Sequence, residues 1–329
     1  MGVKNMFKVI KDKSPNSITI KTITDYKDTT ILIDGILMIY KNIMAIRKNG
    51  YDIMNNGTSI THIHSMMNKL RKFKELNITP IFVFDGVPPK LKFKTLEERE
   101  KTKKEMKEKY LLAKTQKEKT KYYYLKADIT EKEIQDTIEL IRLFGYCVLY
   151  ARDEADQLLA TLSRRNFNKI SGIVTDDMDI LIFGGKNILK EFSVDSNKKF
   201  YEIDLNILKK DTKLNQDRLI ILALLLGTDY SVNVPNVGSK KAPSLVYEYK
   251  TIDGLYNAGI LDKNMKNNFI DSFNIYKNTY LDKGPLLDDV CYADSVGVIN
   301  VDGLRDYLKK FNYKADKIKD IINQVTNKK

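Results

Sequence analysis

Residues 30–35 read Thr30-Ile31-Leu32-Ile33-Asp34-Gly35: three aliphatic residues in a row, closed by a carboxylate and a glycine, with a helical pattern over 38–48 directly behind. An apolar run that does not alternate is the mark of a strand buried on both faces, which in soluble proteins means a parallel sheet with helices on each side. The same unit recurs. Residues 80–85, 147–150 and 173–175 are similar short runs, and 59–76 and 134–144 lie between them as helical patterns. The last places Ile134, Ile138 and Ile141 on one face, with Thr130 and Glu133 spaced as a capping box and Gly145 as its stop. Strands alternating with helices define an α/β fold, a mostly parallel central sheet flanked by helices. Residues 188–192 and 200–204, separated by a polar turn, predict a hairpin at the sheet edge. From Asn215 onward the pattern is helical, broken by a Gly/Pro-containing loop that ends at Gly238. No internal repeat is apparent.

The chain has 329 residues, 43% of them hydrophobic, and a net charge of +13. That supplies a sizeable core and excludes a disordered tail or a rod. No apolar run approaches the roughly 20 residues that span a bilayer. The first residues lack the apolar core of a signal peptide and the hydroxyl residue at position 6 of a myristoylation site, which points to an intracellular, reducing compartment. Cys147 and Cys291 make a disulfide framework improbable, and His62 and His64 with no His/Cys cluster argue against zinc, so any metal is held by oxygen. The basic charge is local: 90–127 carries 14 Lys/Arg against 6 Glu, or +8 of the total. Such a run is either a solvated lysine-rich helix or an arm that holds phosphates, the second favoured by Tyr122, Tyr123 and Tyr124, which could stack on unpaired bases.

Three of the strands end in acids: Asp34, Asp85, and the run Thr175-Asp176-Asp177-Met178-Asp179. Parallel strands present such ends along one edge. Glu154 and Asp156 follow the strand at 147–150, and Asp229 follows the apolar helix at 218–226. Singly, each has an ordinary explanation as a turn acid or a helix-start acid. Together they do not, since like charges 4 Å apart repel by about 4 kcal/mol at an effective dielectric of 20. Lys or Arg could neutralise them, but an all-oxygen cluster suits Mg2+ or Mn2+.

With Met1-Gly2-Val3 at the start, Phe84-Asp85-Gly86-Val87-Pro88-Pro89-Lys90-Leu91-Lys92, Asp153-Glu154-Ala155-Asp156, the 175–179 run and Leu226-Gly227-Thr228-Asp229-Tyr230, all in order, the sequence resembles the flap endonucleases, structure-specific 5′ nucleases of the XPG superfamily. The resemblance runs from residue 1 to about 250. It implies a PIN-like 5′ nuclease core over 1–250, with a helical arch at about 90–128 and a helix-two-turn-helix at about 215–248. Residues 251–329 are then a helical extension packed on that core. It further implies hydrolysis of phosphodiesters in DNA near a 5′ flap by two Mg2+ ions, with Mn2+ substituting, and 5′-3′ exonuclease activity beside it. Seven metal carboxylates follow: Asp34, Asp85, Glu154, Asp156, Asp177, Asp179 and Asp229. Asp176 is left out as a turn acid. Lys92 and Arg99 match the basic pair that meets the scissile phosphate, Tyr40 the aromatic on which a base stacks, and Arg47 a contact to the duplex. Tyr40 could equally be core.

The loop 234–242 resembles the element that grips duplex backbone through main-chain amides, a K+ ion and lysines, here Gly238, Lys240 and Lys241. It departs from the family pattern at Asn236, in place of Gly, and Ser239, in place of Pro. Asn tolerates a left-handed φ, and Ser239 is placed to cap the following helix, with Pro243 in its first turn. Gln324-Val325-Thr326 does not begin a sliding-clamp box. The expected partner is DNA with a single-strand/duplex junction, met by a monomer with no membrane, at a nuclear or cytoplasmic replication site. A 5′-3′ exonuclease, a junction resolvase or an RNA-directed nuclease on the same site, and a catalytically silent DNA-binding scaffold, are the alternatives.

Overall fold

A computed structural model of the chain describes residues 2–86, 93–115, 118, 121–122, 129–165, 169–281 and 297–326, with backbone alone for 93–100 and 103. In chain order the elements are α1 (Met6–Lys13), β1 (Ile18–Lys21), β2 (Thr30–Asp34), α2 (Gly35–Arg47), the short β3 (Met54–Asn55) and β4 (Thr58–Ser59), α3 (Thr61–Glu75) and β5 (Thr79–Phe84). Then come α4 (Phe93–Leu112), α5 (Glu131–Leu143), β6 (Cys147–Tyr150), α6 (Ala155–Arg164), β7 (Ile170–Val174), the one-turn α7 (Asp179–Ile182), β8 (Asn187–Lys190) and β9 (Phe200–Asp204). Helices follow: α8 (Leu205–Thr212), α9 (Gln216–Leu226), α10 (Lys241–Tyr249), α11 (Ile252–Asn257), α12 (Lys263–Tyr280), α13 (Val301–Lys310) and α14 (Ala315–Thr326). The chain divides into two compact units. The first comprises Met1–Asp25, Asp85–Lys92 and Ala151–Asp288, the second Tyr26–Phe84, Phe93–Tyr150 and Asp289–Lys329.

In the second unit β2, β5 and β6 pair in parallel, with Leu32 opposite Ile81 and Ile81 opposite Cys147. Ile31, Leu32 and Ile33 are wholly buried, as the unbroken aliphatic run requires, and each contributes roughly 1.5–3 kcal/mol. Gly35 follows Asp34 for a reason of space: a Cβ there would lie 2.6 Å from the ring of Phe84, so only glycine lets α2 leave the strand at this angle. The Thr130–Glu133 capping box forms as expected and starts α5.

In the first unit β7 and β8 are parallel, β8 and β9 antiparallel, and β1 pairs antiparallel to β9. The hairpin is therefore as expected, but its place is not. β1, a stretch of only four alternating residues, lies outside β9 and takes the edge. Eight consecutive residues of α9, Leu219 to Leu226, are buried, which is why this helix reads as apolar all round. Asn215 caps it, accepting from the Arg218 amide at 3.0 Å.

Candidate active site

Six of the seven implied carboxylates belong to the first unit. Asp85 comes directly after β5, and its Oδ1 accepts the Ala155 amide at 2.8 Å, so it serves as the N-terminal acceptor of α6. Glu154 occupies the cap position of that helix in an extended conformation yet makes no capping bond. Its buried carboxylate instead accepts from the Tyr230 hydroxyl. Asp156 is half-buried in the first turn of α6.

The 175–179 run folds on itself. The Asp177 amide donates to Thr175 Oγ1 at 3.0 Å, and the Asp179 amide to Asp177 Oδ1 at 2.9 Å. Asp177 and Asp179 are buried, whereas Asp176 accepts from the Glu191 amide at 2.7 Å, the turn role expected of it. Asp179 Oδ1 accepts from the Tyr276 hydroxyl at 2.7 Å. Asp229 is half-buried in a turn in which Thr228 Oγ1 accepts from the amides of Tyr230 and Ser231.

Below these acids lies an aromatic cluster. Tyr230 and Tyr276 meet edge to face at 5.4 Å, and Phe183 stacks against Tyr276 at 4.6 Å. Burial first, then the charges of Glu154 and Asp179 and further that of Asp156, hold the Tyr230 hydroxyl well above its ordinary pKa of 10. Burial, the charge of Asp179, its hydrogen bond and the charge of Asp177 do the same to Tyr276. Two of the acids are tied to the phenols directly, Glu154 to Tyr230 and Asp179 to Tyr276, and Asp177 is joined to Asp179 through the Asp179 amide. The phenols stay neutral, so they orient carboxylates without cancelling their charge. Among the described residues no group of three or more His, Cys, Asp or Glu side chains is placed to hold a metal ion. The donor chemistry nonetheless fits a hard divalent cation, since the site's acids offer only carboxylate oxygens and the deepest, Asp179, is 1% exposed.

The remaining expected residues are placed as follows. Asp34, in the second unit, is buried and caps α2 by accepting from the Leu37 amide at 3.0 Å. Tyr40 is half-buried on α2. Arg47 is buried, with Nε 2.9 Å from Asp52 and a terminal nitrogen 2.5 Å from Glu133, an internal ion pair. Lys92, Tyr123, Tyr124 and Cys291 lie outside the described residues, as does the side chain of Arg99, whose backbone belongs to α4. Lys240 and Lys241 are exposed, and a Cβ on Gly238 would meet nothing within 4 Å. Asn236 adopts a left-handed φ of 59°, as its amide side chain allows. Ser239 does not cap α10: Lys240 occupies that position without a side-chain bond. Sequence reasoning missed Tyr276, and it read Gly2 and Tyr230 as letters of motifs without giving either a role.

The profile described as the XPG N-terminal domain matches residues 1–106, and that of the XPG I-region matches 145–229. The protein named Flap endonuclease 1 in Theileria parva is 30% identical over 335 residues, which is 99% of this chain and 65% of that one. Flap endonuclease 1 of Caenorhabditis elegans is 31% identical over 259 residues, 77% of this chain and 67% of that one. The chain thus spans just under two thirds of the Theileria relative. Among solved structures, the catalytic core of Rad2 in complex with DNA substrate aligns with a TM-score of 0.70 at 22% identity, covering 98% of this chain and 100% of that one. Flap endonuclease-1 from Methanococcus jannaschii aligns with a TM-score of 0.69 at 24% identity, covering 96% of each. At these identities the structural likeness speaks for the fold, a mostly parallel sheet flanked by helices.

Proposed function

The chain belongs to the flap endonuclease family of XPG nucleases, and on that premise we propose that it is a structure-specific 5′ nuclease cutting DNA near a 5′ flap, with 5′-3′ exonuclease activity beside it. The observation that carries this reading is that Glu154 and Asp179 accept from the hydroxyls of Tyr230 and Tyr276, two rings in edge-to-face contact, with Asp177 bonded to the Asp179 amide. Members of this family generally depend on divalent metal. Asp85, Glu154, Asp156, Asp177, Asp179 and Asp229 of the first unit would hold two Mg2+ ions, for which Mn2+ would substitute, and Asp34 is the seventh carboxylate of the set the resemblance implies. When bound, the ions supply activation of water and stabilisation of the negative charge that builds on the phosphodiester.

The chain's own residues do the rest. Lys92 and Arg99 keep their charge whatever proton moves, and would stabilise the pentacovalent phosphate. Tyr40 would stack on the base beside the cut. Gly238, Lys240 and Lys241 would hold the duplex backbone, with K+ in the same turn. Arg47 would serve the duplex indirectly, by fixing α2 through its pair with Glu133 of α5. Residues 1–250 form the catalytic core in this reading and 251–329 its helical extension. The protein would act as a monomer in DNA replication and repair, at a nuclear or cytoplasmic site. Among the described residues no helix is long and apolar enough to cross a membrane.

The test is cleavage of a 5′-labelled flap with and without Mg2+, by the wild type and Asp179→Ala. The wild type should cut near the junction to leave a 5′-phosphate and a 3′-hydroxyl. The variant should bind the flap and not cut it. Unchanged turnover by Asp179→Ala at saturating Mg2+ refutes the site. Nicked, blunt and four-way substrates in parallel apportion flap, exonuclease and junction activity.

A further inference from the structure

We propose that Tyr276 and Tyr230 are positioning residues for the metal carboxylates, the hydroxyl of Tyr276 fixing Asp179 and that of Tyr230 fixing Glu154. This rests on the reading of those acids as metal-holding. Tyr276 comes from α12, in the C-terminal stretch where no motif is legible, and both tyrosines lie beyond residue 229, where the second profile match ends.

A buried phenol needs an acceptor, and backbone carbonyls are the usual supply. Two buried tyrosines of this protein do this: Tyr146 donates to the Leu70 carbonyl at 3.3 Å and Tyr307 to that of Asp136 at 2.5 Å. Tyr230 and Tyr276 direct their hydroxyls at carboxylates instead. Both rings are locked, being packed against each other and both against Phe183. One rigid cluster therefore sets the rotamers of two acids from different elements, the cap residue of α6 and the first residue of α7. A lysine or arginine in the same place would orient them too, but would neutralise the charge a cation needs. A phenol supplies direction without neutralisation, which is the outer-shell role that tunes metal affinity.

The experiment is Mn2+ binding without DNA, followed by the electron paramagnetic resonance of free Mn2+, on wild type, Tyr276→Phe, Tyr230→Phe and Tyr307→Phe. Each keeps the ring and removes one hydroxyl. Tyr276→Phe and Tyr230→Phe should weaken Mn2+ binding about 10- to 100-fold. The Mg2+ concentration for half-maximal cleavage should rise by a similar factor, with excess Mg2+ restoring much of kcat and KM for the flap unchanged. Tyr307→Phe should leave both quantities at wild-type values. Folded Tyr276→Phe and Tyr230→Phe that bind Mn2+ as the wild type does overturn this inference alone, whereas a wild type that binds none removes the underlying reading. If Tyr276→Phe gives no cooperative melting transition, Tyr230→Phe decides. Failure of both to fold while Tyr307→Phe folds marks the pair as structural and likewise overturns the inference.

Discussion

A Cβ built on Gly2 would lie 1.8 Å from Asp177 Oδ1, and Gly2 has a φ of +70°, which side-chain-bearing residues rarely adopt. Gly2→Ala must therefore push the carboxylate aside or move the chain before α1. Displacement of a site group by about 1 Å can cost on the order of a hundredfold in rate. The variant should fold and lose activity on that scale, which steady-state cleavage would show, and a wild-type rate would contradict the contact. The two histidines make a second residue-level case. Burial, outweighing attraction by Glu133 and Asp136 and opposed to it, depresses the pKa of His62 below 6.5, with Lys132 adding to the depression. Burial and Lys317 depress His64. A folded pKa below the unfolded one means that the unfolded chain takes the proton first. Their contribution to stability is then complete above pH 6.5 and declines as pH falls through that value toward the folded pKa. Tm should drop across this window, and a Tm that rises on acidification would exclude a neutral, buried His62. At this scale charge was legible and partnership was not. The acids announce themselves by sitting at strand ends, but nothing in the sequence near Tyr276 ties it to Asp179, 97 residues away.

Among the elements, α5 was readable because its signals are local. Thr130 accepts from the Glu133 amide at 3.2 Å, and a Glu133 oxygen accepts from the Thr130 amide at 2.8 Å. Thr130→Ala should cost about 1 kcal/mol, read by urea unfolding. Glu133→Ala should cost more, because it also removes one of the two carboxylates that hold the buried Arg47 and leaves Asp52 alone to do so. At the other end Gly145 has a φ of +75°, and a Cβ there would lie 2.2 Å from the Val298 carbonyl oxygen. Gly145→Ala should lose about 2–4 kcal/mol, and a neutral result would mean the C-terminal segment does not approach this turn. The strands 30–34 and 147–150 emerged with the bounds their composition suggested, since buried aliphatic runs have few other uses. β1 did not, because its reason for being a strand is β9, some 180 residues later. Arg47 shows the same limit. A cation on the helix that follows a strand-end acid reads as a DNA contact until Asp52 and Glu133 are seen to hold it.

For the whole molecule, the decisive quantity is a charge of +13 of which +8 falls in 90–127, where the described α4 residues 101–112 are mostly exposed. Association with DNA should release counterions, so flap affinity should fall by roughly 10³–10⁵ between 50 and 200 mM salt if 6–10 phosphates are contacted. Fluorescence anisotropy at several salt concentrations measures the slope, and a flat dependence would remove phosphate contact as the source of grip. The chain's connectivity carries a different consequence. β1 at 18–21 finds its partner only at 200–204, and the second unit takes residues both from 26–84 and from 289–329. On a ribosome adding about 5–20 residues per second, β1 must wait about 10 to 40 s for its partner to be made, and the second unit cannot close until translation is nearly over. During synthesis the nascent polypeptide therefore keeps apolar strands uncovered for seconds, the interval in which holding chaperones act.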